Sequence, residues 1–564
     1  MKKLKALLII LTIGISSVIS FSFVDSYFEI SKNLDIFATL FRELNIYYVD
    51  ETQPGELMKD GIDAMLGTLD PYTNYIPESE IEDYRFMTTG QYGGIGSVIR
   101  KRDDYVIIAE PYENSPTTQA GLMAGDIILE VDGKSAEGKT TEEMSHILKG
   151  QPGTSVKIKI KRDDETVFEK TIIRQEIKIK DVPYYGMVDD SIGYIKLNGF
   201  TETASKELKE AFKDLKENHG MKSAVIDLRG NGGGLLREAV NIVNIFAEKG
   251  QKIVETKGRV KDWDRIHRAI NTPLDLEMPI TVLIGNGSAS ASEIVSGALQ
   301  DIDRAVIIGR KSFGKGLVQQ TKDLSYNAKL KLTVAKYYIP SGRCIQRIDY
   351  SNRNKNGGAE AIPDSLISTY KTNNGRVVKD GAGILPDIAV TRDKRSNISG
   401  SLLRKMLIFD FATQYRKTHD SIPAANEFTL TEKEFDGFVD FIKDKEYDYT
   451  TKTEKLLDDF EKSAEKEKYL DDVKKEYETL KKKVQHNKNE DLKTFRDEIK
   501  KLIENEICSR YYYQKGRIEY SLASDPDVLK AIEVLNDKKF YASVLDGSYK
   551  APSKSDDDDE IEEE

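Results

Sequence analysis

Three serines alternate with alanines at Ser288, Ser290 and Ser292, where the apolar run Ile280 to Ile284 gives way to a helix-forming stretch. Downstream, Lys315 lies between glycines in Phe313-Gly314-Lys315-Gly316, and no histidine intervenes. A serine hydroxyl is a weak nucleophile until a neighbouring base takes its proton, and a lysine held in a dry pocket can be that base. To work near neutral pH the lysine pKa must fall by about 3, roughly 4 kcal/mol, which burial without a carboxylate partner supplies. Flanking glycines let the backbone turn tightly and aim the side chain inward. Gln319 lies four residues on; on a helix its amide shares a face with Lys315 and can orient the amine. The bland reading of the serines is a helix cap, because Ser290-x-x-Glu293 is a capping box. The two roles are compatible: a capping serine lies beside the free N–H groups of the first turn, which favour a developing oxyanion. The residues alone leave all three serines open.

Two nucleotide-binding readings compete and fail. Gly309 to Lys315 fits GxxxxGK after a strand, but Gly316 stands where a phosphate loop needs Ser or Thr for magnesium. The stretch Arg229-Gly230-Asn231-Gly232-Gly233-Gly234 has Leu235 at the third glycine position of GxGxxG. Those glycines can instead form an anion-binding concavity, or a plain turn between strand and helix.

The elements around these residues alternate. Ala224 to Leu228, Ile280 to Ile284 and Ala305 to Ile308 read as buried strands, each followed by a glycine loop. Repeated strand–loop–helix units over 170–390 imply a mainly parallel α/β layer, with function at the carboxyl ends of its strands. Residues 88–165 are β-rich. Ile127, Leu129 and Val131 alternate before an Asp132-Gly133 hairpin turn, Thr140-x-x-Glu143 caps a helix, and Val156, Ile158 and Ile160 alternate again. The glycine turn Tyr92-Gly93-Gly94-Ile95-Gly96 precedes them. A glycine loop, a strand and a helix beside a groove capture a peptide carboxyl terminus by adding it as a strand, although the glycines could also form a plain tight turn. Phe37, Leu40, Phe41, Leu44 and Ile46 give an amphipathic helix near the amino terminus, and Leu57, Ile62, Met65 and Leu66 a second. Late in the chain, Leu470, Val473, Tyr477, Leu480 and Val484, then Leu492, Phe495, Ile499 and Leu502, predict an antiparallel helical hairpin with charged outer faces.

The 564 residues exceed one ordinary core and imply several domains. A net charge of −11 argues against nucleic acid as a partner. Cys344 and Cys508 lack metal-ligand spacing and read as buried free thiols. Lys2, Lys3 and Lys5 precede an uncharged apolar run from Ala6 to Val24, the pattern of a signal peptide or signal anchor. The chain is therefore expected to be exported, and either periplasmic or anchored through residues 6–24 to the outer face of the cytoplasmic membrane. Asp556 to Glu564 forms an acidic tail, read as disordered and solubilising.

Taken in order, the motifs over about 35–390 resemble those of the carboxyl-terminal processing peptidases, or tail-specific proteases. They are Leu-Asp-Pro-Tyr-Thr (69–73), Gly-Ile-Gly (94–96), Gly-Leu-Met-Ala-Gly-Asp-Ile-Ile (121–128), Asp-Leu-Arg-Gly-Asn-Gly-Gly-Gly (227–234), Ser-Ala-Ser-Ala-Ser-Glu-Ile (288–294), Phe-Gly-Lys-Gly-Leu-Val-Gln (313–319), Tyr-Tyr-Ile-Pro-Ser-Gly-Arg (337–343) and Gly-Ile-Leu-Pro-Asp (383–387). The resemblance implies a multidomain α/β protein: a mixed α/β protease core, a β-rich PDZ domain, an N-terminal helical segment and a C-terminal helical extension. The expected divisions are 1–24 signal, 27–86 helical, 87–168 PDZ, 169–395 serine protease core, 396–550 charged helical extension and 551–564 acidic tail. It implies an endopeptidase whose nucleophile is Ser290, whose base is Lys315 and whose Gln319 positions that base, without metal or cofactor. It implies oxyanion donors at Ala291 and Gly233; Gly230 and Gly232 depart from the commoner loop, which leaves the choice among Gly232, Gly233 and Gly234 open. Gly94, Ile95 and Gly96 would hold a substrate's carboxyl end, so the expected partners are proteins or peptides with accessible carboxyl termini. A dimer is compatible with the sequence. The rival is a catalytically silent PDZ module that only binds tails.

Overall fold

Two strands with apolar centres, Ser223–Asp227 and Ile280–Ile284, are buried at every position, as strands covered on both faces are. They form the middle of a six-stranded sheet: β1 (Tyr184–Met187), β2 (Ile192–Lys196), β3 (Ser223–Asp227), β4 (Ile280–Ile284), β5 (Val306–Gly309) and β6 (Ile388–Ala389), in that spatial order. β1 and β2 are antiparallel and the remaining pairs parallel. The structure is a computed structural model that describes residues 27–162, 165–354, 357–392, 394–484 and 488–550.

Alternation sends Ile226, Val282 and Ile307 to one face, where they pack with α1 (Ala204–Asn218), α2 (Leu236–Phe246) and α3 (Ala291–Asp301) through Phe212, Val243 and Val295. Val225, Leu283, Val306 and Ile308 point to the other face. Its cover comes from the far end of the chain. A long helical segment broken by a kink at Tyr513, α4 (Arg496–Leu522), leads to α5 (Pro526–Asn536) and α6 (Lys538–Leu545), whose Val528, Ala531, Val534 and Val544 complete that second layer. Val528 and Val534 are fully buried there, each worth about 1.5–3 kcal/mol. The stretch that reads as a charged extension thus supplies one wall of the protease sandwich.

The β-rich unit orders its strands Ser97–Arg102, Tyr105–Pro111, Ile127–Val131, Ser155–Lys161 and Val167–Ile173, and the two alternating runs read from the sequence form the third and fourth. Val156, Ile158 and Ile160 are fully buried. Asp132 and Gly133 both take positive φ, 49° and 76°, the demand of a two-residue hairpin turn. The capping box is present: the Glu143 N–H donates to the Thr140 hydroxyl (3.2 Å) and the Thr140 N–H to Glu143 Oε2 (2.7 Å), opening the helix Thr141–Leu148. Ser97–Arg102 lies at the sheet edge beside that helix.

The described residues divide into two units, 27–77 with 321–332, and 78–320 with 333–550. In the first, residues 27–47 are helical and Pro54–Gly67 forms a second helix. The helical period holds, but Phe37, Leu40, Leu44 and Ile46 are exposed rather than packed. Asp70 closes the predicted turn by accepting from the Tyr72 N–H (2.8 Å) and Thr73 N–H (2.9 Å).

In the second unit, Phe411, Phe435 and Phe438 bury Ile499, Ile503 and Ile507 of α4 in a core of their own. The helix Leu470–Val484 pairs with the preceding helix Lys452–Lys466, where Tyr477 stacks on Phe460 and bonds Glu461. This corrects the expected hairpin: the later apolar run is drawn into the aromatic core. Both cysteines are free; Cys508 is buried, but Cys344 is partly exposed, against the sequence reading. Among the described residues no helix is long and apolar enough to cross a membrane. The expected signal (1–24) and acidic tail (551–564) lie outside the described residues.

Candidate active site

β4 ends in a loop that delivers three serines to the start of α3, and the structure separates them. Ser288 is buried; its hydroxyl donates to the Leu228 carbonyl (2.9 Å) and accepts from the Gly285 N–H (3.0 Å). Ser292 is buried and donates to the Asn231 carbonyl (2.8 Å). Both tie the serine loop to the glycine loop after β3. Ser290 alone is partly exposed, with φ 56° and ψ −111°. A non-glycine residue in that region costs about 1–3 kcal/mol and persists only where its surroundings hold it. Ala291 is the first residue of α3, so its N–H precedes the helical acceptors.

What holds Ser290 is Glu293, fully buried one turn into α3. Its Oε2 accepts from the Ser290 N–H (2.8 Å) and from the Lys315 N–H (2.9 Å). Oε1 accepts from the Gly314 N–H (2.8 Å) and the Ser312 hydroxyl (2.5 Å). One carboxylate therefore joins the serine and lysine backbones. Complete burial drives its pKa up to about 7, although all four of these hydrogen bonds pull the other way. The fully buried Tyr337 adds a second tie, its hydroxyl lying 3.1 Å from the Ser290 carbonyl and 2.7 Å from that of Lys315.

The glycine loop makes the third side. Asn231 is fully buried: its side chain donates to the Leu197 carbonyl (2.9 Å) and accepts from the Gly233 N–H (2.9 Å), while its carbonyl takes the Ala289 N–H (3.1 Å). Gly233 has φ 101°, and a Cβ there would lie 2.8 Å from the Ala289 oxygen, 2.9 Å from Ser290 Cβ and 3.0 Å from the Ala291 nitrogen. Gly233→Ala is accordingly expected to displace the serine loop. Proteolysis should drop at least about tenfold, as misplaced reacting groups do, with a melting temperature lowered by only a few degrees. Wild-type turnover in a Gly233→Ala enzyme would refute this close packing.

Gln319 shares a face with Lys315 only if its segment is helical, and it is not. Its segment is the strand Leu317–Asp323, not a helix, and its Nε2 donates to the Thr333 hydroxyl (3.1 Å) on the adjacent strand Lys329–Tyr338. Extended chain wins because the hairpin pairs this segment along the neighbouring strand.

Gly94, Ile95 and Gly96 lie elsewhere, at the β-rich unit's groove. Ile95 lines a cavity of about 170 Å³ with Phe86, Tyr92, Ile99, Leu148 and Lys149. Gly96 (φ 76°) admits no side chain, since a Cβ would fall 2.5 Å from that of Ser115. Phe86 meets Tyr92 edge to face at 5.3 Å, and Lys149 pairs with Asp83 at 2.6 Å.

Glu293 is visible in the sequence only as a capping partner, and Tyr337 and Asn231 only as members of motifs. Their roles require segments 19 to 61 residues apart to meet, which no local pattern announces.

A strained serine at a helix N-terminus, beside a glycine loop and tied to a lysine loop, together with a groove-bearing β-rich unit, defines a serine-type peptidase carrying a PDZ domain. Peptidase family S41 matches residues 191–351, a PDZ domain 93–171, and the C-terminal helical domain of a probable PDZ-protease 398–535. The chain is 39% identical over 322 residues to a carboxy-terminal-processing protease of Bartonella bacilliformis, covering 56% of this chain and 73% of that protein. It is 34% identical over 363 residues to a probable CtpA-like serine protease of Staphylococcus haemolyticus, covering 64% and 71%. This chain belongs to the carboxy-terminal-processing protease family. Among solved structures, the photosystem II D1 C-terminal processing protease is 25% identical, with TM-score 0.35, covering 62% of this chain and 86% of that one.

Proposed function

We propose that this peptidase is an exported endopeptidase that engages substrate carboxyl termini through its PDZ domain and cleaves through Ser290 and Lys315. The observation that carries the reading is the buried Glu293 carboxylate, which holds the backbones of both residues through one oxygen. The neutral Lys315 amine takes the Ser290 hydroxyl proton as Oγ attacks the scissile carbonyl. The oxyanion is met by the Ala291 N–H and a glycine-loop N–H. We assign the latter to Gly233, which serves by sharing or leaving its bond to Asn231. The Lys315 ammonium returns its proton to the leaving amine, and an acyl group remains on Ser290. Lys315 then deprotonates the water that releases it. Gln319, its amide nitrogen on Thr333, offers its oxygen to the lysine amine.

In the PDZ domain, the peptide adds to the edge strand Ser97–Arg102, its carboxylate meets the N–H groups around Gly94–Gly96, and its last side chain enters the apolar cavity. The amino-terminal sequence supports export, either to the periplasm after cleavage or anchored through residues 6–24.

The test is an acid quench during turnover of a peptide ester that ends in an apolar residue with a free carboxylate. Mass spectrometry should find the acyl adduct on the peptide containing Ser290, and amidating the carboxyl terminus should weaken turnover. Cleavage with an adduct on another residue, or none in Ser290→Ala with cleavage intact, refutes the mechanism. Indifference to amidation refutes tail recognition.

A further inference from the structure

The glycine loop is gripped at its entry by residues from the far end of the chain. Arg229 is the last residue before Gly230. Its N–H donates to Asp227 Oδ1 (2.8 Å) and its carbonyl accepts from Lys196 Nζ (2.6 Å). Its guanidinium donates to three carboxylates. Nη2 meets Asp227 Oδ2 at 2.6 Å, and Nη1 meets Asp525 at 2.7 and 2.8 Å and Asp527 Oδ2 at 2.7 Å. Asp525 and Asp527 open α5, nearly three hundred residues downstream. Arg392 binds both aspartates from another side, at 3.1 and 2.5 Å. Tyr194 donates to Asp227 (2.6 Å). Lys196, Arg229 and Arg392 thus face Asp227, Asp525 and Asp527, and the side chains of Asp227 and Asp527 are each 1% exposed.

A charge-balanced, largely buried network of this kind adds little net stability, because desolvation offsets the attraction, yet removing one member leaves an unpaired charge, so its partners are held in one geometry. Ordinary α/β packing would need only the apolar face of α5. The two aspartates add charge aimed at one residue, and that residue begins the loop whose Asn231 bonds the serine loop and whose Gly233 abuts Ser290.

We infer that Asp525 and Asp527 are positioning residues for catalysis: through Arg229 they seat the loop Gly230–Gly234 against Ser290, so that the C-terminal helical domain completes the protease site. The inference rests on Ser290 being the nucleophile. Asp525 also caps α5, accepting from the Asp527 N–H (3.0 Å) and Val528 N–H (3.2 Å). Asparagine keeps a cap of this kind and removes the charge, so Asp525→Asn separates the two roles.

The experiment uses the full chain and a tail-bearing peptide substrate. Asp525→Asn, Asp527→Asn and the double variant are compared with Arg229→Lys, with the three combined, and with Val528→Ala, which loosens α5 without touching Arg229. The double variant should lower kcat at least tenfold with KM within about twofold. Adding it to Arg229→Lys should cost nothing further, because both break one contact. Val528→Ala should lower the melting temperature and keep kcat. Where the double variant does not fold, Asp525→Asn carries the same reading at reduced size. An unchanged kcat, additive losses with Arg229→Lys, or a Val528→Ala loss matching that of the aspartate variants overturns the clamp. Ser290→Ala runs beside them. If it is inactive while the aspartate variants are normal, only the clamp falls; if it cleaves normally, the nucleophile assignment falls and takes the clamp with it.

Discussion

Ser290→Ala is expected to cleave a tail-bearing reporter at least about ten-thousandfold more slowly than wild type, and Lys315→Ala to match it. Residues that act as one unit lose nearly the same rate whichever is removed. Glu293, the carboxylate nearest the serine along α3, is occupied by the Ser290, Gly314 and Lys315 N–H groups and the Ser312 hydroxyl, so the proposed base is the Lys315 amine. Lys315→Arg should fail equally, because a guanidinium keeps its proton at any working pH and cannot act as a base. Each variant should fold, as none removes a bond by which Glu293 holds the backbone. Reporter cleavage under single turnover, with circular dichroism as the folding control, is the measurement. Activity retained in Lys315→Arg would exclude lysine as the base, and retained activity in Ser290→Ala would exclude the nucleophile.

Glu293→Gln should damage both stability and rate, with opposite pH trends in the wild type as its signature. Burial raises the Glu293 carboxyl to about 7 in the folded protein, against 4.5 without it. The folded state therefore holds this proton more tightly than the unfolded state. The resulting stabilisation is complete below pH about 4.5 and is lost as pH rises through about 7, in total about 3 kcal/mol. Turnover should move the other way. Below pH about 7 the proton on Glu293 takes a position that receives a peptide N–H, and the cradle loosens. Glu293→Gln has no titration, so the stability advantage of the wild type over the variant should narrow by about 3 kcal/mol as pH rises from about 4.5 through about 7. It also turns an amide NH₂ toward backbone donors, which costs about 1–3 kcal/mol per lost bond. Urea unfolding at several pH values, run for both proteins, gives the answer. Parallel curves would show that Glu293 does not carry the raised pKa.

The local elements were legible because local physics makes them. The hairpin at Asp132-Gly133, the Thr140 cap and the alternation of Val156, Ile158 and Ile160 depend on neighbours a few residues away. The continuous apolar runs at β3 and β4 announced strands covered on both faces. Where longer contacts decided, the period misled. The late apolar run around Ile499 forms a helix as predicted, but the phenylalanines at 411, 435 and 438 take it from its expected partner. Gln319 is extended because a neighbouring strand pairs with its hairpin.

The active-site residues divide in the same way. The sequence by itself supplied the residue types of the proposed site: a serine beside a helix N-terminus, a lysine between glycines and a glycine loop at a strand end, in an order that marked the family. It could not rank Ser288, Ser290 and Ser292 by their chemistry, since all three alternate alike. Only the tertiary structure turns Ser288 and Ser292 into struts and leaves Ser290 strained and partly exposed. Only the fold shows Glu293 joining two loops and Asp525 reaching back to Arg229. The physical reason is that a buried polar group must find its partners wherever the chain places them, and those partners lie tens to hundreds of residues away.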